Sequence, residues 1–129
     1  MIRGSRYVIA VHDLERSARY YRDVLGFEIH EIGDPGWRFY RREQCFIMAG
    51  ECPDALAPQD LGDHSYFAYL EVDDIDELHA AVVARGTVVI KPLRTEPWGM
   101  REFGIRTVDG HRIMFGEAVA AREDVPPSG

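Results

Sequence analysis

The side chains that could do chemistry in this chain are not spaced to act together. Cys45 and Cys52 have no zinc-ligand partners at a useful spacing and are too few for a disulfide framework. We predict that both are reduced thiols without a functional role. No nucleophile stands beside a recognisable general base. The five histidines, which are the other candidate metal ligands, are scattered at His12, His30, His64, His79 and His111.

His64 is the histidine nearest to a predicted strand that could carry a site. It lies three residues before Phe67, and an odd offset along a strand places two side chains on opposite faces. His79 falls within a predicted helix and His111 at a predicted turn. We therefore expect none of the histidines to bind a metal.

Aromatic side chains, in contrast, recur at alternate positions of short predicted strands, so they share faces. Trp37, Phe39, Phe46 and Met48 are predicted to share one face of a hairpin. In the second half, the residues that share a face are Phe67, Tyr69 and Glu71. Arg6 and Val8 face the same way, whereas an aliphatic set suits packing under helices: Ile9, Val11, Ala68, Leu70 and Val72. An aromatic face that includes a guanidinium and a carboxylate is typical of a ligand cavity.

An internal repeat supplies the elements that would position this face. In the first half, a strand at 7–11, Asp13, a helix at 14–25 and Gly26 precede strands at 27–32, 37–42 and 46–51. In the second half, a strand at 66–72, Asp74, a helix up to Arg85 and Gly86 precede strands at 87–90, 100–107 and 112–117. Asp is the expected N-cap and Gly the expected helix stop. The repeat predicts an α+β fold of two βαβββ modules with the helices on one face of each sheet.

The two modules are expected to form one compact domain of 129 residues. The first module covers 1–51 and the second 64–118, with a linker rich in Pro, Asp and Ala at 52–63. The tail at 119–129 is predicted to be disordered.

Charge and hydropathy exclude several classes of partner. The formal net charge of −7 argues against a nucleic-acid partner, which clustered Lys and Arg would bind, and favours a cationic ligand. No apolar run approaches the roughly 18–20 residues that cross a membrane, and the first five residues do not form a signal peptide. A cytoplasmic location is the expectation.

Four motifs resemble those of the vicinal oxygen chelate superfamily, which contains glyoxalases, bleomycin-resistance proteins and extradiol dioxygenases. Residues 13–17 and 20–27 are similar to its opening helix, 71–75 to its second-half entry and 108–113 to its final hairpin. The resemblance spans roughly residues 5 to 118. It implies a cup-shaped mixed sheet with the helices outside, the glyoxalase/bleomycin resistance fold.

The same resemblance marks the positions at which catalytic members hold a metal ion. In this chain they are occupied by Arg6, Met48, Phe67 and Met114. A guanidinium and a benzyl group cannot ligate a divalent cation, and thioethers suit only soft metals. The metal-dependent chemistry of the family is therefore not transferred, and no cofactor is predicted.

Residues 96–103, with Trp98 at the centre, resemble the Pro-Trp-Gly loop and following strand of the bleomycin-resistance branch. In that branch the Trp helps to wall a groove at the dimer interface. The resemblance implies a homodimer and a groove that holds a cationic aromatic antibiotic by stacking and charge. It does not decide whether the dimer exchanges modules. Trp98 could instead close the cup or pack at a subunit interface.

These observations favour a non-enzymatic protein that sequesters an antibiotic of the bleomycin type, with Glu102 as a further acidic group for its cationic end. An orphan member that binds another small molecule fits equally. A lyase, isomerase or dioxygenase would need His12 or His64 as relocated metal ligands, and metal-free catalysis by Arg6, Tyr69 or Glu71 stays open. The predicted ligand-binding residues are Arg6, Trp37, Phe39, Phe46, Met48, Phe67, Tyr69, Glu71, Trp98, Phe103 and Met114.

Overall fold

The chain folds into two consecutive βαβββ modules, which confirms the predicted fold class. The computed structural model describes residues 1–61 and 65–119. The first module contains β1 (Tyr7–Val11), α1 (Leu14–Asp23), β2 (Glu28–Glu31), β3 (Trp37–Arg42) and β4 (Cys45–Glu51). A short 3-10 helix at Pro58–Leu61 follows. The second module contains β5 (Tyr66–Glu71), α2 (Ile75–Ala84), β6 (Val88–Thr95), β7 (Met100–Arg106) and β8 (Arg112–Ala118).

Each module builds a four-stranded mixed sheet of the same topology. The strand orders are β1-β4-β3-β2 and β5-β8-β7-β6. The first strand of each module pairs in parallel with the last, and the other pairs are antiparallel. The helices cover one face of each sheet, which we call the helix side; the opposite face is the inner face.

The core lies on the helix side and is continuous across both modules. The alternation of the strands places aliphatic and aromatic side chains there, as predicted for Ile9, Val11 and Ala68. The modules also meet through a buried polar contact. Ser17 on α1 donates to Asp109 in the β7–β8 turn at 2.8 Å, and Tyr40 donates to Ser17 at 2.8 Å.

The two helices begin with different capping contacts, although the repeat predicts the same cap for both. The Asp13 side chain accepts from the Arg16 backbone N–H at 3.1 Å, so it caps α1 as expected. Asp74 occupies the N-cap position of α2 as predicted, but it adopts a left-handed φ of 52° and its side chain makes no capping bond. Glu117 accepts from the backbone N–H groups of Asp74 and Ile75 instead, at 3.0 and 3.1 Å.

Two element bounds differ from the predictions by more than one residue. α1 ends at Asp23 rather than residue 25. β6 runs through Pro92 to Thr95 rather than ending at residue 90, because an edge strand with irregular pairing tolerates a residue without an N–H group. Residues 62–63 of the predicted linker and 120–129 of the predicted tail lie outside the described residues. Neither described helix has the length and apolarity needed to cross a membrane.

Candidate functional site

The inner face of the first module is aromatic, in the arrangement that strand alternation predicts. Phe39 lies opposite Met48 and Trp37 opposite Gly50 across the β3–β4 pair. A Cβ on Gly50 would lie 2.9 Å from the Trp37 ring, so only glycine lets the indole lie flat against β4.

Two guanidinium groups cover the other aromatic rings of this face. Arg6 lies over Phe39 at 5.4 Å and Arg41 lies over Phe46 at 5.8 Å, both within cation–π range. No ion pair joins Arg6 to Glu71 among the described residues. A cationic ligand would therefore compete with Arg6 and Arg41 for these rings.

The inner face of the second module carries Tyr69 and Glu71 beside Met114 and Gly116. Tyr69 lies across Gly116, where an added Cβ would overlap its hydroxyl group. Gly116 corresponds to Gly50 in the repeat, so each module places a glycine beneath an aromatic ring of the inner face.

A buried carboxylate holds the hydroxyl of Tyr69 in place. Tyr69 donates to Glu102 at 2.6 Å, and Lys91 approaches the other Glu102 oxygen at 3.3 Å. Desolvation of the Tyr69 hydroxyl and its bond to Glu102 raise the pKa of Tyr69 well above its usual value. Tyr69 therefore stays protonated and acts as a hydrogen-bond donor at neutral pH.

Lys91 also contacts a second buried carboxylate, that of Glu96, at 3.1 Å. Arg94 donates to the same carboxylate, and this hydrogen bond, followed by that from Lys91, lowers the pKa of Glu96. The sequence prediction missed this network, since Lys91 and Arg94 belong to the part of β6 that surrounds Pro92. Because Lys91 neutralises Glu102, Glu71 is the predicted acidic group that stays exposed on this face.

Phe67 does not lie with Tyr69 and Glu71, contrary to the prediction. The pairing of β5 with β8 shifts between Tyr66 and Ala68, and this bulge breaks the two-residue alternation at Phe67. The Phe67 ring packs edge-on against Tyr7 at 5.7 Å and His111 at 5.5 Å. It joins the modules rather than lining the inner face.

Phe103 was predicted to stack on the ligand, but its ring lies on the opposite side of the sheet. Phe103 is fully buried on the helix side, stacked on Phe115 at 5.1 Å and edge-on to His79 at 5.0 Å. Along β7 the Phe103 side chain points towards α2, so its ring is not available to a ligand on the inner face.

The rest of the inner face is open to solvent. On this face Val8 is 65% exposed and Tyr69 45%, and Trp98 in the β6–β7 turn is 53% exposed. Trp37, Phe39, Phe46, Met48 and Met114 are half-buried. Large apolar side chains that stay accessible together on one face mark a binding or contact surface.

The positions at which catalytic relatives hold a metal do not fit one here. Met48 and Met114 lie on the inner face, Arg6 is stacked on Phe39, and Phe67 packs between the modules. Within residues 1–61 and 65–119 no three His, Cys, Asp or Glu side chains come together as a ligand set. His64 lies outside the described residues.

His12 and His111 have structural surroundings. His12 donates to the carbonyl oxygen of Ala55 at 2.6 Å, and His111 is buried. Burial, and then the neighbouring His12, lower the pKa of His111 to about 4. His111 is therefore neutral at physiological pH.

Known structures share this fold. TioX from Micromonospora sp. ML1 is 22% identical, with a TM-score of 0.71 over 90% of this chain and 100% of that one. TnmS3, an antibiotic binding protein from Streptomyces sp. CB03234, is 21% identical, with a TM-score of 0.69 over 92% and 98% of the two chains. A glyoxalase-related enzyme from Clostridium phytofermentans is 19% identical, with a TM-score of 0.75 over 92% and 97%. No curated protein matches the sequence significantly.

These similarities establish the fold, and the names of the neighbours cover both an enzyme and a binding protein. The sequence itself decides the family. The family model described as Glyoxalase/Bleomycin resistance protein/Dioxygenase superfamily matches residues 5–115. The chain belongs to this superfamily, as its motifs predict.

Proposed function

We propose that the protein is a cytoplasmic, non-enzymatic binding protein that sequesters a cationic aromatic antibiotic of the bleomycin type on its inner face. The observation that carries the proposal is the open aromatic inner face, on which a guanidinium and two thioethers stand where metal ligands would be needed. Trp37, Tyr69 and Trp98 would stack on the ligand. Glu71 would bind its cationic end.

Two further observations support binding rather than catalysis. Tyr69 is held as a donor by Glu102, which suits recognition of a polar ligand group. TnmS3, which shares the fold, is itself named as an antibiotic binding protein. The half-buried Phe39, Phe46, Met48 and Met114 would supply apolar surface around the ligand, with Arg6 beside them.

We also propose that the protein is a homodimer. Val8 and Tyr69 are exposed on the inner face of a single chain, and a second copy would enclose this face. Sedimentation velocity would test this, with a monomer at micromolar concentration as the contrary result.

A fluorescence titration with metal-free bleomycin tests the proposed function. The Trp98→Phe variant leaves Trp37 as the only tryptophan, so its quenching reports on the inner face directly. We expect saturable quenching at about one ligand per chain, with a Kd in roughly the micromolar range. Absence of quenching at high micromolar ligand would refute the antibiotic and leave a different small molecule as the ligand.

A matched pair of variants tests the role of charge. Glu71→Gln removes the exposed carboxylate of the inner face, whereas Glu77→Gln removes an exposed carboxylate on α2. Loss of a charge-assisted contact is expected to weaken binding about tenfold for Glu71→Gln. Equal affinities for the two variants would contradict the assignment of Glu71.

A further inference from the structure

The two ends of the junction between the modules are not equivalent, although the repeat makes their residues correspond. Because Glu51 corresponds to Glu117, Glu43 corresponds to Asp109 and Cys45 to His111. Because Asp13 corresponds to Asp74, Ser17 corresponds to Leu78. Each end of the junction therefore contains the same three positions of the repeat. One end has Ser17, Asp109 and His111, and the other has Leu78, Glu43 and Cys45.

One end is closed. Ser17 binds Asp109 there, and His111 is buried. The segment after β4 also covers this end, because Ala55 accepts from His12 and the side chain of Gln59 lies against Gly110.

The other end is open. It forms a cleft of about 800 Å³ between the two modules, and Leu78, Glu43 and Cys45 are among the residues that line it. Leu78 has no hydroxyl with which to bind Glu43, so the contact that closes the first end has no equivalent here. The volume lies within the range of small-molecule sites, about 300–1,000 Å³. The apolar walls of the cleft are Tyr7, Phe27, Leu70, Val72 and Phe115.

The charge in the cleft is strongly one-sided. Four carboxylates and one guanidinium line it. The guanidinium, Arg42, donates to the carbonyl oxygen of Leu25 at 2.6 Å and lies 3.7 Å from Glu43. Glu117 is engaged in capping α2, which leaves Glu71 and Asp73 as exposed carboxylates without a cationic partner among the described residues. Apolar walls with unneutralised carboxylates complement an organic cation.

We propose that this cleft is a binding site for a small organic cation with an aromatic or apolar body. The apolar walls would take the body of the ligand, and Asp73 and Glu71 would take its charge. The proposal goes beyond antibiotic binding on the inner face, which concerns the opposite side of β4, although Phe46, Tyr69 and Glu71 border both regions.

Cys45 offers a direct reporter of the cleft. It is a free thiol that lines the cavity, and Cys52→Ser would leave it as the only thiol of the chain. Trp37 and Cys45 stand at opposite ends of the β3–β4 hairpin, about 17 Å apart at strand spacing. Thiol modification and tryptophan quenching therefore report on the two regions separately.

The test measures the rate at which Cys52→Ser protein reacts with a maleimide in the presence of ethidium, an aromatic cation. We expect saturating ethidium to slow the reaction at least fivefold. The anion 1-anilinonaphthalene-8-sulfonate at the same concentration should leave the rate within twofold. Equal protection by the two dyes, or no protection by millimolar ethidium, would overturn the proposal.

Charge-reversal variants locate the effect. Asp73→Lys should weaken ethidium protection about tenfold, whereas Asp54→Lys, an exposed change in the segment after β4, should not. Asp73→Asn should act in the same direction with a smaller effect, which covers the case in which the lysine impairs folding. Equal protection in all three variants would overturn the proposal. So would an ethidium-induced change from dimer to monomer in sedimentation velocity, since it would assign the cleft to a subunit contact.

Unaltered quenching of Trp37 by bleomycin in Asp73→Lys would leave the proposed antibiotic site intact whatever the cleft binds. If bleomycin fails to quench Trp37 in the protein that retains Asp73, while ethidium still protects Cys45, the antibiotic site alone is refuted. The two proposals therefore fail independently.

Discussion

At the scale of single residues, the burial of His111 links its protonation to folding. Its pKa falls from 6.5 to about 4 in the folded protein, first because of burial and then because of His12. Between these two values the unfolded chain binds more protons than the folded chain, so acidification favours unfolding. The buried Asp109, whose pKa is raised by burial, opposes this trend towards the acidic end.

We predict that the free energy of unfolding falls between pH 6.5 and pH 4, by at most about 1.4 kcal/mol per pH unit. His111→Phe should flatten this dependence, because the ring would still pack against Phe67 without a titrating group. Urea unfolding at several pH values measures it, with the exposed His30→Gln as the control. An unchanged pH profile in His111→Phe would show that another group is responsible.

A second prediction at this scale concerns the contact between Gly50 and the Trp37 ring. Its missing side chain admits the Trp37 ring, whereas nothing lies within 4 Å of Gly4. Gly50→Ala should displace the indole towards solvent, shift its emission to longer wavelength and weaken bleomycin quenching several-fold. Gly4→Ala should change neither property. An unshifted emission spectrum of Gly50→Ala, measured in the Trp98→Phe background, would mean that the strand moves instead of the ring.

At the scale of elements, the last strand of each module fixes the start of its helix. Glu51 accepts from the Leu14 N–H at 3.0 Å, and Glu117 accepts from two N–H groups at the start of α2. A carboxylate at a helix N-terminus also interacts favourably with the helix dipole. The difference is that α1 retains Asp13 as a second cap, while α2 has no capping side chain from Asp74.

This difference predicts unequal effects of two equivalent substitutions. Glu117→Ala should lower the free energy of unfolding by about 1–2 kcal/mol, the usual cost of a lost cap. Glu51→Ala should cost less than half as much, because Asp13 still caps α1. Chemical denaturation of both variants measures the difference, and equal losses would show that the Asp13 bond contributes nothing.

Much of this architecture could be predicted from the sequence, because the repeat and the strand alternation are local signals. The order of the elements and the face shared by Trp37, Phe39 and Met48 follow from them. The bulge at Phe67 could not be predicted from the sequence, since it depends on how β5 pairs with a strand more than forty residues away. Lys91 was missed for a similar reason: its contacts with Glu96 and Glu102 depend on irregular pairing between β6 and β7.

At the scale of the whole molecule, the junction between the modules has one closed end and one open end. The closed end depends on a buried network in which Ser17 accepts from Tyr40 and donates to Asp109. The core is continuous across the junction, so the two modules are expected to unfold together. The open end can then bind a ligand without separating the modules.

Ser17→Ala tests this coupling, because it leaves the buried Tyr40 hydroxyl and the Asp109 carboxylate without their shared partner. Such a loss costs about 1–3 kcal/mol. Trp37 reports on the first module and Trp98 on the second, so single-tryptophan proteins can follow each module separately. We predict coincident urea transitions for both reporters, shifted together to lower urea by Ser17→Ala. A shift confined to Trp37 would mean that the network stabilises only the first module, and that the junction does not couple the two halves.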